Sequence, residues 1–78
     1  MPDRLLEAFA AGLRIPAEDL NDDTSPTNTP AWDSLAAMEM VVRLEDEFDV
    51  RLKTSDIMRM RSIGLARAVL RGKGVDNI

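Results

Sequence analysis

The chain has 78 residues, 45% of them hydrophobic, and a formal charge of −4. That length predicts one small domain, residues 1–78, with a thin core, because a chain of this size buries only about 60% of its unfolded surface. It contains no cysteine, which excludes disulfides and thiolate metal sites. No run approaches the roughly 20 apolar residues of a membrane span. The opening Met1-Pro2-Asp3-Arg4 lacks the basic-then-apolar layout of a secretory signal. A soluble, cytoplasmic protein is expected.

Residues 3–14 read as a helix. Leu6, Phe9, Ala10 and Leu13 fall at the i, i+3, i+4, i+7 spacing of one buried stripe. Asp3 and Glu7 near its start and Arg14 at its end suit the helix dipole. Gly12 weakens it, and Pro16 stops it. Residues 15–33 form a long polar connection rich in Asn, Asp, Thr, Ser and Pro, which favour turns. Ile15, Leu20 and Trp32 are expected to pin it to the core.

Residues 34–48 form the strongest predicted helix, with Asp33 as its N-cap and no Pro or Gly inside. A short helix over 55–60 is opened by Thr54 or Ser55, with Ile57 and Met60 facing inward. A last helix over 63–71 is capped by Ser62, packs Ile63, Ala66, Val69 and Leu70, and ends at Arg71-Gly72. No segment alternates like a strand. The predicted class is all-α, a bundle of three main helices plus a short one.

Charge is divided unevenly. Residues 1–50 hold three basic and twelve acidic side chains, whereas residues 51–78 hold seven basic and two acidic. The acidic part disfavours nucleic acid and favours a basic protein partner. Alternatively, the two parts neutralise one another inside the fold. Composition leaves both readings open.

The central helix carries two apolar stripes. At 100° per residue, Ala37, Met40, Val41, Leu44 and Phe48 form one. Leu35, Met38 and Val42 form a second, roughly opposite, with Glu39 and Asp46 on one flank and Glu45 on the other. A helix in a small bundle needs only one apolar face. The second is either a docking patch or a surface that the 15–33 loop covers. Ser34 stands in the first turn, where free N–H groups and the dipole favour an attached phosphate. A serine there is equally an ordinary helix-start residue.

Catalysis by this chain alone is not expected. It has no histidine, cysteine or tyrosine, so Ser34 lacks an ordinary base. Lys53 and Lys73 lie in polar contexts, and Asp22-Asp23 reads as solvated loop. A calcium loop starting at Asp19 fails, with Thr24 in place of glycine and Pro30 in place of the closing glutamate. No metal site and no Gly-rich phosphate loop are present, and the aromatic residues are too few for base stacking.

Trp32-Asp33-Ser34-Leu35, continuing to Glu45-Asp46-Glu47-Phe48, closely resembles the signature of acyl and peptidyl carrier proteins. Thr54-Ser55-Asp56-Ile57 and Met60-Arg61-Ser62-Ile63 resemble that family's third helix and fourth-helix cap. Ile15-Pro16-Ala17-Glu18-Asp19-Leu20 with Asp22-Asp23 resembles its first loop. The resemblance implies a stand-alone carrier, expected to be monomeric, with 4′-phosphopantetheine from coenzyme A attached to Ser34 by a phosphopantetheinyl transferase. Asp33 and Leu35 complete the motif. Leu35, Met38, Glu39, Val42, Glu45 and Asp46 become the face read by loading, synthase or tailoring enzymes with basic patches. Ala36, Arg43 and Asp49 depart from the usual fatty-acid carrier pattern, which favours a dedicated route such as polyketide or other secondary-metabolite synthesis. A peptidyl or aminoacyl carrier, or a helical adaptor without a prosthetic group, are the alternatives.

Overall fold

The computed structural model describes residues 3–78, and Met1 and Pro2 lie outside it. It contains α1 (Arg4–Leu13), a single 3₁₀ turn (Ala17–Asp19), α2 (Ser34–Phe48), α3 (Thr54–Arg59) and α4 (Ile63–Gly72), with no strand among the described residues. The all-α expectation holds.

Side-chain caps set the helix starts. Asp3 accepts from the N–H groups of Leu5 and Leu6, Asp33 from Ala36 at 2.9 Å, and Ser62 from Leu65 at 3.1 Å. α3 differs from expectation. Neither Thr54 nor Ser55 caps it. Instead Asp56 reaches back to accept from the Lys53 N–H at 2.9 Å, the return half of a capping box. Left-handed residues set two of the ends, Arg14 (φ 59°) after α1 and Asp49 (φ 53°) after α2. Beyond α4 that role falls to Gly74 (φ 93°) rather than Gly72, with Val75 N–H returning to the Leu70 carbonyl.

The core joins Leu5, Phe9 and Leu13 of α1, Met40, Leu44 and Phe48 of α2, and Ile63, Ala66 and Leu70 of α4, closed by Met60. The α1 stripe is rotated from the predicted one. Leu5 and Ala8 are buried, whereas Leu6 and Ala10 are only half-buried. The cause is the small residues on that face. A side chain at Gly12 would place its Cβ 2.0 Å from the Met40 sulfur. Gly12, a weak point for the helix by propensity, is where the Met40 side chain of α2 packs against α1. Ile57 is also displaced from its predicted inward position and stands 37% exposed.

The 15–33 connection folds onto the core as expected. Leu20 and Trp32 are buried, and the Trp32 and Phe9 rings lie 5.0 Å apart. Two backbone bonds tie it to α4, from Ile63 N–H to the Thr24 carbonyl and from Gly64 N–H to the Asp22 carbonyl. Thr24 is buried and its hydroxyl accepts from the Asn21 N–H. A buried cation completes the attachment. Arg67 is 9% exposed and donates to Asp3 at 2.9 and 3.3 Å and to Asp22 at 2.9 Å. No described helix is long and apolar enough to cross a membrane.

Candidate functional site

The loop delivers the chain to Asp33, whose carboxylate is spent capping the Ala36 N–H. Ser34 is therefore the first residue of α2, and it is exposed. Among the described residues, nothing hydrogen-bonds its hydroxyl, and the N–H groups of Ser34 and Leu35 have no partner. The result is a free hydroxyl beside two free donors at the positive end of a fifteen-residue helix.

The second stripe of α2 lies open. Leu35 is 69%, Met38 71% and Val42 59% exposed. The loop covers none of them, because the packing of Trp32 on Phe9 and its hydrogen bonds to α4 hold it elsewhere. Glu39 and Asp46 are exposed alongside. Glu45 is different. It is half-buried, and its carboxylate accepts from the Leu52 N–H at 2.9 Å, so it fastens the α2–α3 connection. Ile57 extends the stripe across to α3. With Ala37, Met38, Val41 and Val42 it lines an apolar cleft of about 270 Å³. The sequence assigned Ile57 to the core, and only the angle of α3 shows that it faces α2.

Among the described residues, no group of three or more acidic, His or Cys side chains is arranged to hold a metal. Shifted carboxyls lie away from Ser34. Burial would raise the Asp3 carboxyl, but hydrogen bonds from Arg67 and the Leu6 and Leu5 N–H groups, with the guanidinium charge, outweigh it and hold Asp3 below its ordinary value. Asp56 is lowered chiefly by its hydrogen bond from Lys73, 2.7 Å away.

The described residues thus form a small helical bundle with an exposed, unengaged serine at the start of its longest helix. Residues 3–66 match the family described as phosphopantetheine attachment site. An acyl carrier protein from Syntrophus aciditrophicus (strain SB) is 30% identical over 63 residues, covering 81% of this chain and 79% of that protein. One from Saccharopolyspora erythraea is 31% identical over 62 residues, covering 80% and 65%. One from Kineococcus radiotolerans is 34% identical over 56 residues, covering 72% and 69%. The chain belongs to the acyl carrier protein family, whose prosthetic group is a covalently attached 4′-phosphopantetheine. These relatives are named as carriers rather than catalysts.

The residues fit that group. A phosphodiester needs an accessible hydroxyl, nearby donors and no competing carboxylate. Ser34 is exposed, two N–H groups beside it are free, and the adjacent Asp33 is engaged as a cap.

Proposed function

We propose that this protein is an acyl carrier whose 4′-phosphopantetheine is attached at Ser34, and that the exposed face of α2 docks the enzymes that modify, load and process it. The observation that carries this reading is the free Ser34 hydroxyl followed, on the same helix, by an open apolar stripe rimmed by carboxylates. In attachment, the Ser34 oxygen takes the place of the nucleotide part of coenzyme A on phosphorus. Its proton leaves to a base of the transferase, since this chain has no histidine, cysteine or tyrosine to receive it. When bound, the arm supplies a terminal thiol for thioester chemistry. The chain's own residues present it. Asp33 fixes the first turn of α2, and the free N–H groups of that turn lie beside the phosphate position.

Leu35, Met38 and Val42 supply the apolar contact, and Met38 adapts to differing partners. Glu39 and Asp46 steer basic patches toward it, giving fast and salt-sensitive encounters. Glu45 contributes less charge to that rim because its carboxylate is held by Leu52. Partners of this kind are a phosphopantetheinyl transferase and synthase or tailoring enzymes. The pathway reading is a dedicated one, polyketide or other secondary-metabolite assembly. It is supported by uncharged Ala36, cationic Arg43 on the surface of α2, and Asp49 in a left-handed position where glycine is common. It fails if generic fatty-acid synthase enzymes accept this carrier as well as their own.

The decisive test is intact mass after incubation with coenzyme A and a promiscuous transferase. The native chain gains one phosphopantetheinyl group and Ser34→Ala gains none while keeping its helical spectrum. A loaded alanine variant overturns the assignment to Ser34. A native chain that stays bare overturns the carrier reading.

A further inference from the structure

A surface of opposite sign lies between α3 and α4. Leu65, Ala68 and Val69 line a groove of about 440 Å³ with Arg59 and Arg61. At 100° per residue Leu65 and Ala68 fall opposite the buried stripe of Ile63, Ala66, Arg67 and Leu70, while Val69, half-buried against the core as the sequence predicts, forms the inner edge of the groove. Leu65 is 49% exposed, and both arginines are exposed. Leu65 and Ala68 thus leave a small apolar strip of α4 open beside the two arginines. Among the described residues, Arg59 and Arg61 form no ion pair. Arg59 lies close enough to Asp56 to lower its carboxyl, but it is Lys73 that contacts that group.

We propose that this groove docks the acidic, apolar surface of a second protein, distinct from the basic partners of α2. Charge complementarity carries the assignment, since an apolar strip with unneutralised guanidinium groups at its edge attracts an apolar strip with carboxylates. The chain's own α2 face has that chemistry, but a self-contact would join two unlike patches. Such a contact covers the α2 face that the modifying, loading and processing enzymes need. A different protein leaves α2 open. Opposite signs then sort the partners. A basic surface is drawn to Glu39 and Asp46 and repelled by Arg59 and Arg61, and an acidic one the reverse. One chain can hold both at once. This inference does not depend on the prosthetic arm.

The test uses the full chain, labelled with ¹⁵N, with and without the phosphopantetheinyl group. The probes are two synthetic amphipathic helical peptides with the same leucine face, one flanked by glutamates and one by lysines. The glutamate peptide shifts the amide signals of Arg59, Arg61, Leu65, Ala68 and Val69, and the lysine peptide shifts those of Leu35, Met38, Glu39 and Val42. Both titrations weaken as salt rises. The double variant R59E/R61E loses about tenfold or more in affinity for the glutamate peptide and keeps its dispersed spectrum. Leu65→Ala, at an exposed position, weakens the same peptide without touching the lysine one. Glutamate-peptide binding that maps to α2, or survives R59E/R61E unchanged, overturns the proposal. Concentration-dependent self-association lost in R59E/R61E reassigns the groove to a second copy and overturns it too. Flotation with phosphatidylglycerol vesicles lost in that variant does the same in favour of a membrane. Failure of coenzyme A loading with peptide mapping intact sinks the carrier reading alone.

Discussion

Replacing Arg67 by methionine separates the buried cation from the rest of the core. Methionine keeps most of the apolar stem and removes three N–H···O contacts, two to Asp3 and one to Asp22. A hydrogen bond to a charged group contributes about 1.5–3 kcal/mol where solvent is excluded. Here the carboxylates can rehydrate, since the Asp3 and Asp22 side chains are 32% and 57% exposed. Asp3 also keeps its two N–H donors from α1. The penalty of orphaned buried charge is therefore largely avoided, and a loss of about 2 kcal/mol is expected for the three contacts together. For a domain of this size that lowers Tm by about 8–16 °C.

The loss also depends on pH in a defined direction. Asp3 is held below its ordinary value in the folded chain, so its pairing stabilises fully above the unfolded carboxyl pKa of about 3.9. It fades as pH falls through the lower folded value. The Tm gap between native and Arg67→Met should be constant near neutrality and close below about pH 4. Thermal unfolding followed by circular dichroism from pH 7 to pH 3 reads both features. Below its Tm the variant should still accept phosphopantetheine, because Asp33 and Ser34 lie outside the Arg67 contacts. A gap of under about 2 °C, or one that widens in acid, would refute the reasoning.

Gly12→Ala should destabilise by about 1–3 kcal/mol in urea denaturation, because its Cβ meets the buried Met40 sulfur. Asp49→Gly should raise stability by up to about 1 kcal/mol through relief of a left-handed backbone, with partner turnover unchanged. Charge reversal at both Glu39 and Asp46 should lower kcat/KM of the transferase for this carrier by about tenfold at low salt and by much less at high salt. Equal effects at both ionic strengths would speak against steering. Glu45→Ala should cost stability more than turnover, since it removes the acceptor that holds the Leu52 N–H.

Local chemistry made α2 and α4 readable. Asp33 and Ser62 are side-chain caps, neither predicted core run is broken by proline, and both helices start where the caps require. The second stripe of α2 was visible by projection alone. Whether it stays open was not, because that depends on where the 15–33 loop goes. Trp32 against Phe9 and the Asp22 and Thr24 bonds to α4 decide it, and these contacts span up to 42 positions in sequence. On α1 two registers share Phe9 and Leu13, one with Leu6 and Ala10 and one with Leu5 and Ala8, and the structure buries the second. Ala8 and Gly12 face the core because they are small. Arg67 carries a signal of its own in the sequence, an arginine set among Ile63, Ala66 and Leu70 on the buried side of α4. A charge in that position needs a carboxylate partner. What no local pattern could supply was the identity of Asp3, 64 residues away.

The uneven charge of the chain had two readings, internal neutralisation or an outward field, and the ion pairs separate them. Arg4 pairs with Glu47 inside the acidic part, and Lys73 with Asp56 inside the basic part. Among the described residues only Arg67 links the two, through Asp3 and Asp22. Six of the seven cations in residues 51–78 thus form no ion pair with the acidic part. Folding leaves the charge asymmetry of the sequence largely intact, and a field of two signs is presented to solvent. Such a field has little to do with holding the bundle together, since exposed pairs contribute little. It acts on approach and orientation, where a partner's charge selects which face it meets first. The physical division is then plain. Apolar packing and one buried cation fix the shape, while the charges left unpaired are available for recognition.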